Sequence, residues 1–549
     1  MPIVTINIKD LLKLVGKNIP LKKLEDSLAM FGVVPERVEG NEMDVEVFPD
    51  RPDMLSVEGI ARSFAGFMGI RRGYIEYYVK RSNYKVNVDA SVGKIRPEIV
   101  CAVVKGVKLT DELVASIMQL QEKLHASHCR KRAKASIGIY DLDTIRFPVT
   151  YKAERTSFEF VPLEFDRKMK MKDMLKEHPK GRDYGWIIEK FKKYPLLIDS
   201  KGMVLSMPPI INSEDSKVTE KTTNLFIDVT GTDKKTVNDV LNIVVCALAD
   251  RGGKVYSVRM AYPYKRISTP QLGVWVNRVV PDYINKVLGL ELKPKEAITF
   301  LERMRFNARI NKKGEIEVGI PPYRADIMHP VDLVEDIAIM YGYDNFEPEV
   351  PPVSTIGEEK DIEVLSRKLR DLMVGLGYQE VLTYILTNKD DLFTKMNVRS
   401  SKVAETSNPK SGEYGVCRNW LLPSLMNVLF KNQHNPFPQK VFEVGECIVL
   451  LPGTDTGTKT VRKLCGAAAY EKANLTEMKS VIESLLKNMG VKYKIKPIKH
   501  PSFIESRCGE IVVNGKSAGF FGEIHPQVLN NMGLEMPVIA FEIDTEAFT

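Results

Sequence analysis

The chain has 549 residues, of which 44% are hydrophobic and 27% charged, and a formal net charge of +8. This length exceeds what one core supports and predicts about three to five domains. The composition is ordinary for a soluble globular protein, and the modest charge permits a nucleic-acid partner without demanding one.

The cysteines are Cys101, Cys129, Cys246, Cys417, Cys447, Cys465 and Cys508. Their odd number, their scatter and the lack of any CxxC pair argue against a disulfide framework or a thiolate zinc site, and for a reducing cytosol. The opening stretch, MPIVTINIKDLLKLVGK, has no continuous apolar core and no cleavage signal. No apolar run approaches the ~20 residues of a membrane span.

Residues 1–80 read as a small α/β unit. Val4, Ile6 and Ile8 alternate with polar residues as an opening strand would, and Val45 and Val47 mark a second strand. Val57, Ile60, Ala61, Phe64 and Met68 follow helical spacing. The intervening string FPDRPDMLSVEGIARSFAGFMG (48–69) resembles the N-terminal domain of the phenylalanyl–tRNA synthetase beta-subunit family. Within it Arg51 and Asp53 are expected to fix a turn rather than to carry chemistry.

Residues 81–265 form a second region. Val86, Val88 and the VCAVVKGV run predict strands, and Leu113, Ile117, Leu120 and Leu124 predict a helix with one apolar face. His125, His128 and Cys129 at its end invite a metal reading. The RKRAK run that follows (130–134) opposes it, since it would repel a cation, and reads instead as a solvated helix end favoured by the dipole, with contact to RNA phosphate as the alternative. A hairpin over 196–207, turning at Ser200-Lys201-Gly202, leads into PPIIN (208–212), whose prolines must end a strand or line an edge. NLFIDVTGTD (224–233) then precedes a helix marked by Val237, Val240, Leu241, Val244 and Leu248. The paired strings VLSMPPIIN and FIDVTGTD resemble the editing domain of the same family in its archaeal/eukaryotic form. The resemblance implies a pocket, and Ser206, Asn212, Asp228 and Thr230 are its polar candidates. The alternative is a turn in which Asp228 and Thr230 bond local backbone.

Residues 266–350 carry a further pattern. Helices are expected from Pro281 and Pro294, and NKKG closes a hairpin between 308–310 and 316–318. Helices plus a hairpin suggest a winged-helix-like domain. In PPYRADIMHPVDLVEDIAIMYGY (321–343), Pro330 suits the first turn of a helix. That helix would place Asp332, Glu335 and Asp336 at i, i+3 and i+4 on one face, with Asp326 just before it. Like charges so placed repel unless something positive sits among them, and a hard divalent cation such as Mg²⁺ suits an all-oxygen set. The alternative is that these acids complement the helix dipole. The string from 322 to 345 resembles the magnesium-bearing domain of the family and matches its four acidic positions: Asp326, Asp332, Glu335 and Asp336. The resemblance implies an ion shared with an alpha subunit. EPEVPPVS (347–354) reads as a Pro-rich linker.

Residues 356–549 read as a large α/β region. Ile362, Leu365, Leu369, Leu372, Met373 and Leu376 predict an amphipathic helix, strands are expected at 381–386 and 440–444, and a helix at 421–432. TSNPKSGEYGVCRNWLLPSLMNVL (406–429) resembles the family's catalytic-like module, which has the class II synthetase fold without its chemistry. Arg418 stands alone and is expected to be structural or interfacial. There is no GxxxxGK[ST] loop, no GxGxxG, no HExxH and no GxSxG.

The resemblance thus implies an α+β multidomain chain: an N-terminal α/β domain (1–80), an editing-type domain (81–265), a magnesium-bearing domain (266–350) and a catalytically inactive class II synthetase-like domain with an antiparallel sheet (356–549). It also implies a cytoplasmic beta subunit that pairs with an alpha subunit as two alpha and two beta chains. The holoenzyme would join phenylalanine to tRNA(Phe) with ATP, and this chain would hydrolyse tyrosyl–tRNA(Phe). Two rivals are a non-enzymatic RNA- or protein-binding scaffold and a free-standing deacylase.

Overall fold

A computed structural model describes residues 2–351 and 353–548. Met1 of the opening stretch and Pro352 of the Pro-rich linker lie outside the described residues. The chain divides into two compact units, Met1–Val350 and Pro351–Thr549.

The first unit opens with a three-stranded antiparallel sheet in which Glu42–Val47 lies between Ile3–Asn7 and Val33–Glu39. The expected first strand stops before Ile8, because the Asn7 side chain accepts from the Asp10 amide and caps a helix, Ile8–Val15. The strand Val33–Glu39 was not expected. Pro35 breaks its alternation, and the register shifts between Pro35 and Arg37. After the sheet, Arg51 grips Asp53 through Nε and Nη2, both at 2.9 Å, and this buried pair sets the turn into helix Val57–Phe67.

Most of residues 85–261 build one long sheet. Its order runs Ile211–Asn212, Val204–Met207, Lys193–Ile198, Val149–Arg155, Lys85–Val88, Lys254–Ala261, Glu98–Lys105, Asn224–Gly231, Ala135–Asp141. Only Lys85–Val88 runs parallel to its two neighbours along this path. The strand Asn224–Gly231 pairs with neighbours on both sides from Leu225 to Gly231, and its residues there are all buried. Helix Lys234–Asp250, started by Asp233 bonding the Thr236 amide, packs on this sheet and on helix Val57–Phe67. The sheet curls until its two ends approach: the Asn212 amide nitrogen reaches the Ile139 carbonyl at 3.5 Å, and the Tyr140 and Ser206 hydroxyls lie 2.7 Å apart.

The unit closes with a second three-stranded sheet, centred on Ile316–Ile320, and the helices Pro281–Leu288, Pro294–Arg303 and Pro330–Tyr341. The expected hairpin is present as Asn307–Ile310 and Ile316–Ile320. Its third strand, Trp275–Val279, was not expected, because an exposed edge with only Val279 buried shows no apolar alternation.

The second unit is built on a seven-stranded sheet, antiparallel except where Gln379–Glu380 joins Gln439–Leu450. Helices Asp361–Gly375 and Leu422–Lys431 appear where periodicity predicts them. The expected strand at 381–386 is reduced to the two-residue strands Gln379–Glu380 and Leu386–Thr387. Leu382 and Tyr384 are left exposed without a core to cover them, and Thr383 is drawn into Glu443 and Arg418. Arg418 is interior, bonded to Glu443 at 2.7 Å and to the Glu446 carbonyl at 2.9 Å.

Candidate functional site

A cavity of about 440 Å³ opens where the ends of the long sheet meet. Ser206, Asn212 and Asp228 line it, each from a different strand. Thr230 does not. It sits one step behind, buried against Ser136 (3.0 Å) and Arg96 (3.0 Å). Asp228 and Thr230 therefore belong to a strand paired on both sides, not to a turn that bonds its own backbone.

Asp228 Oδ1 accepts from the Tyr140 hydroxyl at 2.5 Å, and Tyr140 in turn lies 2.7 Å from Ser206 Oγ. A phenol has one proton to give. The consistent assignment is that Ser206 donates to Tyr140 and Tyr140 to Asp228. The other carboxylate oxygen, Oδ2, receives no protein donor among the described residues. Burial pushes the Asp228 carboxyl up to about 7, against the pull of Tyr140 and Arg96. Gly138 lies beside this contact, and a Cβ there would stand 2.1 Å from the Tyr140 oxygen and 2.4 Å from Asp228 Oδ1. Any larger residue would push the two apart.

The wall opposite comes from helix Asp111–Ala126 and the turn after it, through Gln121, Glu122 and Arg132. The RKRAK run is not simply a solvated helix end. Arg130, Lys131 and Arg132 all have left-handed backbones (φ 48°, 51° and 64°), which turns the Arg132 side chain inward to 6% exposure. Its guanidinium bonds the carbonyls of Pro209 (3.2 Å) and Ile210 (2.8 Å) and the Glu122 carboxylate (2.8 Å). His125 is buried, accepts from the Ile137 amide at 2.9 Å, and is held neutral by burial at about 4. It is committed to the fold. Cys129 is buried too, its thiol pushed up to about 12.

The acidic cluster lines a second cavity, of about 260 Å³, in the same unit. Asp326, Asp332, Glu335 and Asp336 meet there with Asp50, Arg51 and Arg324. The helix starts at Pro330 and runs to Tyr341. Arg324 supplies a positive charge among the acids: it bonds Asp326 through Nε (2.9 Å) and Nη2 (2.6 Å), and Asp336 through Nη2 (2.7 Å). Asp332 caps the helix, its Oδ2 accepting from the Met328 (2.6 Å) and His329 (2.7 Å) amides. Among the described residues, no three His, Cys, Asp or Glu side chains converge as metal ligands do.

The cluster keeps an excess of negative charge all the same. Burial raises Asp336 to about 6 despite Arg324. Burial, then the charges of Asp50, Asp332 and Asp326, raises Glu335 as well. Asp326 goes the other way, because Arg324 outweighs its burial. Asp332 Oδ1, Asp336 Oδ1 and both Glu335 oxygens receive no protein donor among the described residues. An all-oxygen, under-neutralised set of this kind fits a hard divalent cation in its chemistry.

Sequence reasoning missed Tyr140, Gly138, Arg324 and Asp50. Asp50 and Arg324 lie in strings that were singled out for other residues. Tyr140 is 88 residues from Asp228, and only strand pairing brings them together.

Residues 347–545 match the family described as phenylalanyl tRNA synthetase beta chain CLM domain, 278–343 the tRNA synthetase B5 domain, and 112–242 the B3/4 domain. The chain is 43% identical to the phenylalanine–tRNA ligase beta subunit of Archaeoglobus fulgidus, covering 100% of this chain and 99% of that one. It is 41% identical to the corresponding subunit of Methanocaldococcus jannaschii, covering 100% of both. A crystal structure of an N-terminal fragment of the phenylalanyl-tRNA synthetase beta subunit from Pyrococcus horikoshii matches with a TM-score of 0.60 and 40% identity, over 62% of this chain and 99% of that one.

Proposed function

The chain belongs to the phenylalanine–tRNA ligase beta-subunit family, and from that premise we propose a subunit with two tasks, assembly with a catalytic alpha chain and correction of mischarged tRNA. The holoenzyme attaches phenylalanine to tRNA(Phe) with ATP, as two alpha and two beta chains in the cytoplasm, and this chain does not aminoacylate alone. Its parts are an N-terminal domain (1–80), an editing domain (81–265), a magnesium-bearing domain (266–350) and an inactive synthetase-like domain (356–549).

The observation that carries the editing task is the convergence of Ser206, Asn212 and Asp228 on one cavity, with Asp228 buried and one oxygen open. A pocket shaped for phenylalanine rejects tyrosine weakly, because tyrosine only adds a hydroxyl. A second site that hydrogen-bonds that hydroxyl separates the two. Asp228 Oδ2 accepts from the phenol, Tyr140 and Ser206 hold the carboxylate in place, and Thr230 supports the strand from behind. Water then cleaves the ester, freeing tyrosine and the 3′-terminal hydroxyl of the tRNA.

Mg²⁺ is assigned to Asp326, Asp332, Glu335 and Asp336. When bound it supplies positive charge that offsets the excess on the cluster. The residues themselves set the helix start and, through Arg324, tie it to the preceding turn.

The test is to purify the chain with and without a class II alpha chain and assay aminoacylation, metal content and deacylation of tyrosyl–tRNA(Phe). Both activities and bound Mg²⁺ are expected in the complex, with Asp332→Ala/Glu335→Ala losing metal and assembly. A complex that charges tRNA but leaves tyrosyl–tRNA intact removes the editing task.

A further inference from the structure

Arg96 is 1% exposed and forms no ion pair among the described residues. Instead it spends its donors on neutral groups: Nε on Thr230 Oγ1 (3.0 Å), Nη1 on the Ala133 carbonyl (3.2 Å), and Nη2 on the Thr230 carbonyl (2.7 Å), the Arg132 carbonyl (3.1 Å) and Ser136 Oγ (3.2 Å). A buried guanidinium without a counter-charge is destabilising. Asp228 is a buried carboxylate in the same position, with hydroxyl contact but no cation in contact. The two are bound to one strand: Arg96 grips Thr230, and Asp228 lies two residues before it on the same face, about 7 Å along the chain.

We propose that Arg96 is the counter-charge of Asp228, set behind the cavity wall so that it favours the ionised acid while the open oxygen stays available to substrate. Arg96 does not line the cavity and touches no substrate, so it is a positioning residue. The inference rests on the editing reading for its use, not for the charge pairing itself.

The other groups facing Asp228 do not take this role. Tyr140 and Ser206 are neutral hydroxyls. Cys101, opposite Asp228 in register, is a buried neutral thiol, its ionisation pushed well up by burial and by Asp228. The Tyr151 hydroxyl donates to the Arg96 carbonyl at 2.9 Å. Arg132 lines the cavity, but its charge is matched by Glu122 at 2.8 Å. Burial lowers Arg96 itself to about 10, still cationic at neutral pH, and Asp228 and Arg96 each act on the other's titration in the stabilising sense.

The same guanidinium braces the turn after the helix. Three successive left-handed residues are each strained for side chains that carry a Cβ. Arg96 bonds the carbonyls of Arg132 and Ala133, which helps to hold that conformation and so keeps Arg132 aimed inward.

The experiment uses the complete complex with Arg96→Met, Arg96→Lys, Asp228→Asn and Arg96→Met/Asp228→Asn. Thermal unfolding reads the charge pairing without reference to editing. Asp228→Asn is expected to raise Tm more in the Arg96→Met background than in the wild type, and equal gains in both overturn the proposal. The pH–rate profile of tyrosyl–tRNA deacylation reads the use. Arg96→Met is expected to move its midpoint up by on the order of one pH unit, because the loss of a nearby positive charge disfavours the ionised carboxylate. Arg96→Lys keeps the charge and is expected to hold the midpoint while rate falls. A midpoint unmoved in Arg96→Met overturns the proposal. A wild type with no deacylation defeats the editing reading alone, with the unfolding cycle still deciding the pairing.

Discussion

Asp336 and Asp228 are both buried carboxylates in the same unit, and both are raised by burial, to about 6 and about 7. They are answered differently. Asp336 touches a guanidinium, shared with Asp326, and its neighbours crowd it with further negative charge. Asp228 touches only a phenol and meets its cation at one remove, behind Thr230. The first arrangement concentrates charge in a small volume and suits an ion. The second leaves one carboxylate oxygen unclaimed at a cavity wall and suits a polar group on an organic substrate. Burial is common to both, so it is the placing of the counter-charge that separates the two sites.

The comparison breaks most readily at Arg324. Arg324→Met leaves Asp326 and Asp336 buried and unpaired, and stability is expected to fall by about 3–5 kcal/mol, measured by denaturant unfolding of the chain. Next is Asp228→Asn, which keeps the shape and removes the charge. Deacylation of tyrosyl–tRNA is expected to drop about 100-fold, the order of a hydrogen bond to a charged group. Its stability effect has the opposite sign. Because the folded carboxyl is raised from 3.8 to about 7, Asp228 favours the fold at low pH, and that contribution is lost as pH rises through this window. Asp228→Asn should therefore flatten the decline of Tm between about pH 4 and pH 7, which a pH series of melts checks directly.

A smaller effect is expected from Tyr140→Phe. It removes the donor to Asp228 Oδ1 and should cost about 1 kcal/mol, or a factor of about five in kcat/KM for deacylation, with aminoacylation unchanged. Smallest is Glu335→Gln. Glu335 is at the rim of the acidic cavity, so its change should move stability by less than about 1 kcal/mol, while the Kd for Mg²⁺, read by isothermal titration, rises. A large loss of stability there would show that the rim is structural and would erase the contrast with Asp228.

How much of this the residues announce depends on the distance over which they act. The acidic helix was legible because its determinants are local: Pro330 starts it, and i, i+3, i+4 spacing sets one face. The same local reading could not tell that Arg324 would fold back onto Asp326 and Asp336, since an arginine near an acid points anywhere until the turn is built. In the editing-type region the strands and the four polar candidates were legible, but not which of them would share a cavity. Thr230 and Asp228 look equivalent along the strand and differ only because Arg96, 134 residues from Thr230, occupies one of the two places. The inward turn of Arg132 was hidden for a related reason: a basic run after a helix predicts solvent, and only the left-handed backbone at Arg130–Arg132 reverses it. At 381–386 alternation misled because no partner strand or core stood ready to receive Leu382 and Tyr384.

The long sheet curls toward closure, yet among the described residues no backbone ladder joins Ile211–Asn212 to Ala135–Asp141. Side chains do the joining there, through Asn212, Ser206 and Tyr140. A ring completed by hydroxyls and amides gives up one strand pairing, and what it obtains in return is a doorway. A guest entering at that seam exchanges a few side-chain hydrogen bonds and leaves every strand-to-strand ladder of the domain intact.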